Sequence, residues 1–144
     1  MQNEVIPAAP DRVTALAEKT VHLARLADKA IGDVILPALH PARRLGAERA
    51  LRLIAGRQMF RDEIYDEIEA LIRVVEKEVA AGSRQVFRPH ESDPNHGHIE
   101  TVRDDRCEAL ANAAETLRCF SSAIAETVDA VEAQKIIARA FAVD

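Results

Sequence analysis

His90, His96 and His98, three of the chain's five histidines, fall in the stretch RPHESDPNHGH between Arg88 and His98. Neutral imidazole binds Zn, Ni and Cu well, and three such nitrogens with the carboxylate of Asp93 would fill a four-coordinate site. Glu91 and Glu100 are further oxygen donors nearby. The spacing H-x5-H-x-H, however, matches no pattern in which a helix or hairpin sets ligand geometry, and the nearest thiol, Cys107, belongs to the next predicted element. Asp, Pro, Asn, Gly and His are also the ingredients of a polar, turn-rich connection. The stretch is expected to be a solvated loop, with a His90/His96/His98/Asp93 metal site as the alternative.

A second concentration of chemistry lies upstream. From Arg43 to Arg61 there are six arginines and one acid; from Asp62 to Ala80 there are seven acids and two bases. Guanidinium favours bidentate contacts to phosphate or carboxylate, so Arg43, Arg44, Arg49 and Arg52 are candidate contacts to nucleic acid or to a partner protein. On a helical wheel they do not share one face, and stacking aromatics are scarce, with Phe60 alone nearby. Pairing of the basic segment with the acidic one is the simpler expectation, including an Arg44–Glu48–Arg52 ladder at i,i+4 spacing.

Carboxylates cluster as Glu63/Asp66/Glu67 and as Asp104/Asp105/Glu108. Helical metallohydrolases and di-iron bundles need such acids turned inward on at least two helices. Those of the first cluster face away from their helix's apolar stripe, and the chain contains no Glu-x-x-His. Cys107 and Cys119, twelve positions apart on one predicted helix, lie roughly 18 Å apart and cannot bridge each other. Both read as small core residues, and unpaired thiols suit a reducing, cytoplasmic setting. Ser121 and Ser122 are mid-helix, a poor setting for a nucleophile. His22 reads as a helix-surface residue and His40 as a corner cap. No glycine loop able to cradle phosphate is present.

The elements that must position these residues are helical. Val13, Leu16, Thr20, Leu23, Ala27, Ala30 and Val34 recur at alternating intervals of three and four, with Asp11 as N-cap and Pro37 as the stop. A second helix from Pro41 to Ala55 carries Ala47, Ala50, Leu51 and Ile54, and Gly56 breaks it. In a third, Phe60, Ile64, Ile68, Leu71, Ile72, Val75 and Val79 form one stripe, ended by Gly82. Residues 83–98 are expected to be irregular, pinned at Val86 and Phe87. From Ile99 a long helix is predicted whose heptads run Cys107, Leu110, Ala114, Leu117, Ser121, Ile124, Val128 and Val131, with continuation through Ile136, Ile137 and Phe141. Its length exceeds that of its neighbours, and the overhang calls for another element or another subunit.

The 144 residues are 48% hydrophobic and 30% charged but only 3% aromatic, so the core must be aliphatic. The expected architecture is an all-α antiparallel bundle of about four helices with a long C-terminal helix. It comprises an N-terminal arm over 1–10 and a single domain over 11–144 containing the His-rich loop 83–98. A net charge of −5 disfavours a general nucleic-acid or anionic-membrane binder. The N-terminus lacks the basic and apolar regions of a signal peptide, and no apolar stretch is long enough to span a bilayer. Together these features predict a non-enzymatic helical protein–protein interaction module, a small adaptor, regulator or assembly subunit acting as a homodimer. The alternatives are a metal-binding bundle using the His90/His96/His98 loop and a nucleic-acid-binding regulator using Arg43–Arg61.

Overall fold

A computed structural model describes residues 9–56 and 62–142. The expected all-α bundle is present, with one addition, a small two-stranded sheet. Helix α1 (Ala9–Ala30) passes through a π-turn (Ile31–Ile35) into the short α2 (Leu36–Ala38). A 3-10 turn (Pro41–Arg43) leads into α3 (Leu45–Ala55), and α4 (Asp62–Ala81) follows. Strands β1 (Ser83–Pro89) and β2 (Gly97–Arg103) form an antiparallel hairpin before the long α5 (Asp105–Ala142). Phe60, and Arg57 and Arg61 of the basic segment, lie outside the described residues, as do residues 1–8 of the expected arm.

Helix α5 is the spine. Thr20 of α1 meets Ala123 and Thr127 of α5, while Arg106 at the other end of α5 reaches the Ala38 carbonyl, so α1 and α5 run antiparallel. Glu69 meets Ser121 and Glu76 meets Arg118, which sets α4 antiparallel to α5 as well. The core between them is Ile31, Ile35, Leu39, Ile64, Ile68, Leu71, Val75, Leu110, Leu117, Phe120 and Ile124, all essentially inaccessible. The predicted α4 stripe is buried from Ile64 to Val79. The α5 heptads are buried from Cys107 to Ile124, and Val128 emerges into solvent. Phe120, adjacent to the heptad stripe, is fully buried and supplies an aromatic ring to the core.

Four boundaries differ from the sequence reading, each for a physical reason. Helix α1 includes Ala9 and Pro10, so Asp11 is inside it rather than capping it. The buried line of α1 passes through Thr20, Ala24, Ala27, Ile31 and Ile35, leaving Leu16, Leu23 and Val34 half-buried. Alanines on that line let the two helices approach closely. Pro37 does not stop the first helical run, which continues to Ala38. The preceding π-turn changes the hydrogen-bond register, with Leu36 N–H donating to Ile31 O, and so accommodates the donor that proline lacks. Finally, residues 83–98 are not an irregular loop and α5 does not start at Ile99: Ser83–Pro89 pairs residue for residue with Arg103–Gly97.

At the α4 end, Gly82 N–H donates to Glu78 O at 3.1 Å, carrying the helical ladder one residue past Ala81. A Cβ there would fall 2.0 Å from Cys107 Sγ, so the first turn of α5 packs directly against this backbone. That turn is capped by Asp104, whose Oδ1 accepts Cys107 N–H at 2.8 Å. This bond holds the Asp104 carboxyl below the usual carboxylate range, while burial pushes the Cys107 thiol up.

Candidate interaction surface

The hairpin projects from the α4–α5 end of the bundle. Alternation along each strand gives it two faces. On one face, Ser83 stands opposite Arg103, Gln85 opposite Thr101, Phe87 opposite Ile99 and Pro89 opposite Gly97. On the other are the pairs Arg84/Val102, Val86/Glu100 and Arg88/His98. Val86 and Val102 are half-buried. Phe87, expected to pin the loop, is instead 51% exposed, and its partner Ile99 is 68% exposed. Exposed large apolar side chains facing each other across a thin sheet form a small unpartnered patch.

The base of the first face looks into a cleft of about 840 Å³ bounded by α4 and α5. Ser83, Gln85, Thr101 and Arg103 line it on the hairpin side, and Glu76, Asn112, Glu115 and Arg118 on the helical side. Gln85 Nε2–H donates to Thr101 Oγ1 at 3.2 Å. Arg118 is clamped between Glu76 and Glu115, which raises its pKa further above its ordinary value. On the opposite face Arg88 Nε pairs diagonally with Glu100 at 2.6 Å, and this guanidinium holds the Glu100 carboxyl below its usual range.

The tip closes on itself. His90 N–H donates to His96 O at 2.7 Å, and Asp93 Oδ1 accepts Asn95 N–H at 3.1 Å, an Asx-turn. Ser92 N–H and its hydroxyl lie 3.3 and 2.8 Å from His90 Nδ1, and His96 Nδ1 lies 2.5 Å from Asp93 Oδ2. Two of the three histidines thus spend one ring nitrogen on the turn, and His98 stands on the strand beyond it, beside Arg88 and Glu100. Among the described residues no group of three or more His, Cys, Asp or Glu is placed to hold a metal ion, so His90, His96, His98 and Asp93 are not gathered on one centre.

The arginine segment is dispersed. Arg43 Nη1 pairs with Glu78 at 3.0 Å, tying the turn before α3 to α4. Arg44 Nε–H donates to Leu39 O at 2.9 Å instead of joining the expected ladder. Arg49 and Arg52 border a shallow cleft with Glu63, Asp66 and Glu67, so acids of the charge-reversed segment face them. The four arginines do not make one basic surface.

The remaining reactive groups have structural settings. Both cysteines are free; Cys107 is buried as expected, whereas Cys119 is exposed rather than in the core. Ser121 Oγ–H donates to Glu69 Oε2 at 2.7 Å, fastening α5 to α4. His40 Nδ1 accepts Ala42 N–H at 3.1 Å, the corner cap anticipated from sequence. No helix among the described residues is long and apolar enough to cross a membrane. No family model matches the chain, and no curated protein or solved structure matches it either.

Proposed function

We propose that this chain is a non-enzymatic helical interaction module, a small cytoplasmic adaptor or assembly subunit that works as a homo-oligomer and presents its β-hairpin as the contact arm. Phe87 and Ile99 carry this reading: two large apolar side chains, half or more exposed, face one another on a hairpin held clear of the core. An isolated two-stranded hairpin is marginally stable in water, and such a patch is ordinarily covered by a partner. Support also comes from the settings of the nucleophiles and carboxylates, which serve as caps, inter-helix ties and surface charge. The free thiols suit a reducing compartment. The metal and nucleic-acid alternatives draw less support, since His90 and His96 serve the turn, His98 stands on the strand beyond it, and the arginines are dispersed among acids and a carbonyl.

Multi-angle light scattering on the purified chain tests the proposal. The expected result is an oligomer that Phe87→Ser with Ile99→Ser converts to monomer while helical circular dichroism stays unchanged. A wild-type chain that is monomeric throughout a concentration series would refute self-association.

A further inference from the structure

We propose that two copies of this chain join through the free edges of their β2 strands, forming a four-stranded antiparallel sheet on a two-fold axis at Ile99. This pairing deepens the interaction-module reading, on which it rests, by naming the partner, the edge and the register.

The choice of edge follows from the backbone. His90 N–H donates to His96 O, and in an antiparallel ladder bonded pairs recur at every second position. Within the observed register the bonded pairs are therefore Arg88/His98, Val86/Glu100 and Arg84/Val102. Pro89, which has no N–H to give, falls in the alternate set, opposite Gly97. The N–H and C=O groups of Gly97, Ile99 and Thr101 consequently point outward along β2, and all three residues are exposed. An edge of this kind is a template for another strand. The β1 edge is defended: Pro89 removes a donor, and Arg84 and Arg88 bring like charges together if two β1 strands meet.

The register follows from the side chains. An antiparallel β2–β2 pair must match outward-facing residues with one another, and four alignments then give Ile99 a partner within the other strand; the one centred on Thr101 sets Ile99 against Arg103. Centring on Glu100 sets the two Glu100 carboxylates face to face. Centring on His98 sets imidazole against imidazole and Ile99 against Gly97. Centring on Ile99 places Ile99 against Ile99, so that Phe87, Ile99 and their two symmetry mates make one continuous apolar row. The same alignment sets His98 opposite the partner's Glu100 on the other face, and symmetry repeats that contact. Apolar matching and a match of imidazole N–H to carboxylate acceptor thus coincide in one register.

Cross-linking and charge exchange test it on the full chain. In a Cys119→Ser background, Ile99→Cys places two thiols on a bonded pair whose Cα atoms lie about 5.5 Å apart, within disulfide reach. Thr101→Cys places them four residues out of register, roughly 14 Å apart and out of reach. Mild oxidation is expected to give a covalent dimer from the first variant and not from the second. His98→Glu alone should weaken the dimer at least tenfold, because it sets two carboxylates opposite one another twice; Glu100→Lys alone takes away the imidazole's acceptor at both contacts and should weaken it as well. An equimolar mixture of the two variants should recover wild-type affinity, since the introduced carboxylate at 98 then faces the introduced ammonium at 100. A wild-type dimer whose Ile99→Cys variant fails to cross-link, or whose charge variants fail to recover on mixing, overturns the edge pairing and leaves self-association standing. A wild-type monomer at every concentration overturns both.

Discussion

Gly97→Ala should open the hairpin and leave the bundle intact. A Cβ at position 97 would stand 2.1 Å from Arg88 O, 2.8 Å from Pro89 Cα and 2.9 Å from Phe87 Cζ. The phenyl ring can swing aside, but the other two atoms are backbone, so the strands themselves must part. Overpacking of this kind costs about 1–3 kcal/mol. One or two kcal/mol already changes a closed-to-open ratio by roughly 5- to 30-fold, and a two-stranded hairpin has little stability of its own to absorb that. Hydrogen exchange followed by NMR is the assay. The Arg88 and His98 amides, which point into the ladder beside residue 97, should lose protection at least tenfold. Amides of Ile68, Leu110 and Leu117, at the centre of the helical core, should exchange as in the wild type, and any dimer should weaken in parallel. Unchanged protection at Arg88 and His98 would refute the steric reasoning. Loss of protection spreading through α4 and α5 would refute the view that the hairpin is an appendage of the core.

Three further outcomes follow from the packing. The buried hydroxyls of Thr20 and Thr127 lie 2.9 Å apart, and each also reaches a helical carbonyl, Leu16 O from Thr20 and Ala123 O from Thr127. Thr20→Val should cost about 0.5–1.5 kcal/mol, and the Thr20→Val/Thr127→Val double variant clearly less than the sum of the singles, because no orphan hydroxyl remains; urea titrations that return strict additivity would sink this account. Leu117→Ala, at a fully buried position, should cost about 2–5 kcal/mol and lower the urea midpoint with helical content retained. The Asp104 carboxyl is depressed in the folded chain, chiefly by Cys107 N–H, so its contribution is present above the unfolded-state pKa and lost as pH falls through the lower folded value. The stability gap between wild type and Asp104→Asn should therefore shrink on acidification below the ordinary Asp range, and a gap constant with pH would contradict the assignment of Asp104 as an ionised cap.

Much of the bundle was legible because helical periodicity is a local signal. Ile64, Ile68, Leu71, Val75 and Val79 mark one side of α4 by spacing alone, and they are buried. Gly56 and Gly82 stand where helices end, although Gly56 has an ordinary φ of −79° and Gly82 is required by the close approach of Cys107 rather than by a left-handed backbone. The hairpin was less legible. Its signals were the β-branched and aromatic residues Val86, Phe87, Ile99, Thr101 and Val102 on either side of HESDPNH, outweighed by the polar turn chemistry between them. Reading Ile99 onward as helix hid them, because short apolar runs do not distinguish strand from helix. The histidines drew attention as ligands when the Nδ1 atoms of His90 and His96 serve a turn, a role visible only once the hydrogen bonds are in place.

Composition and the recurrence of aliphatic residues every three or four positions determined that this chain buries a helical core, because each helix must hide its own stripe from water. Which line of α1 faces α5, the π-turn that accommodates Pro37, the pairing of Ser83–Pro89 with Gly97–Arg103 and the exposure of Phe87 and Ile99 were decided by the tertiary structure. They depend on contacts between residues far apart in sequence or on how neighbouring helices meet, and no local pattern specifies which of several compatible partners a segment will find.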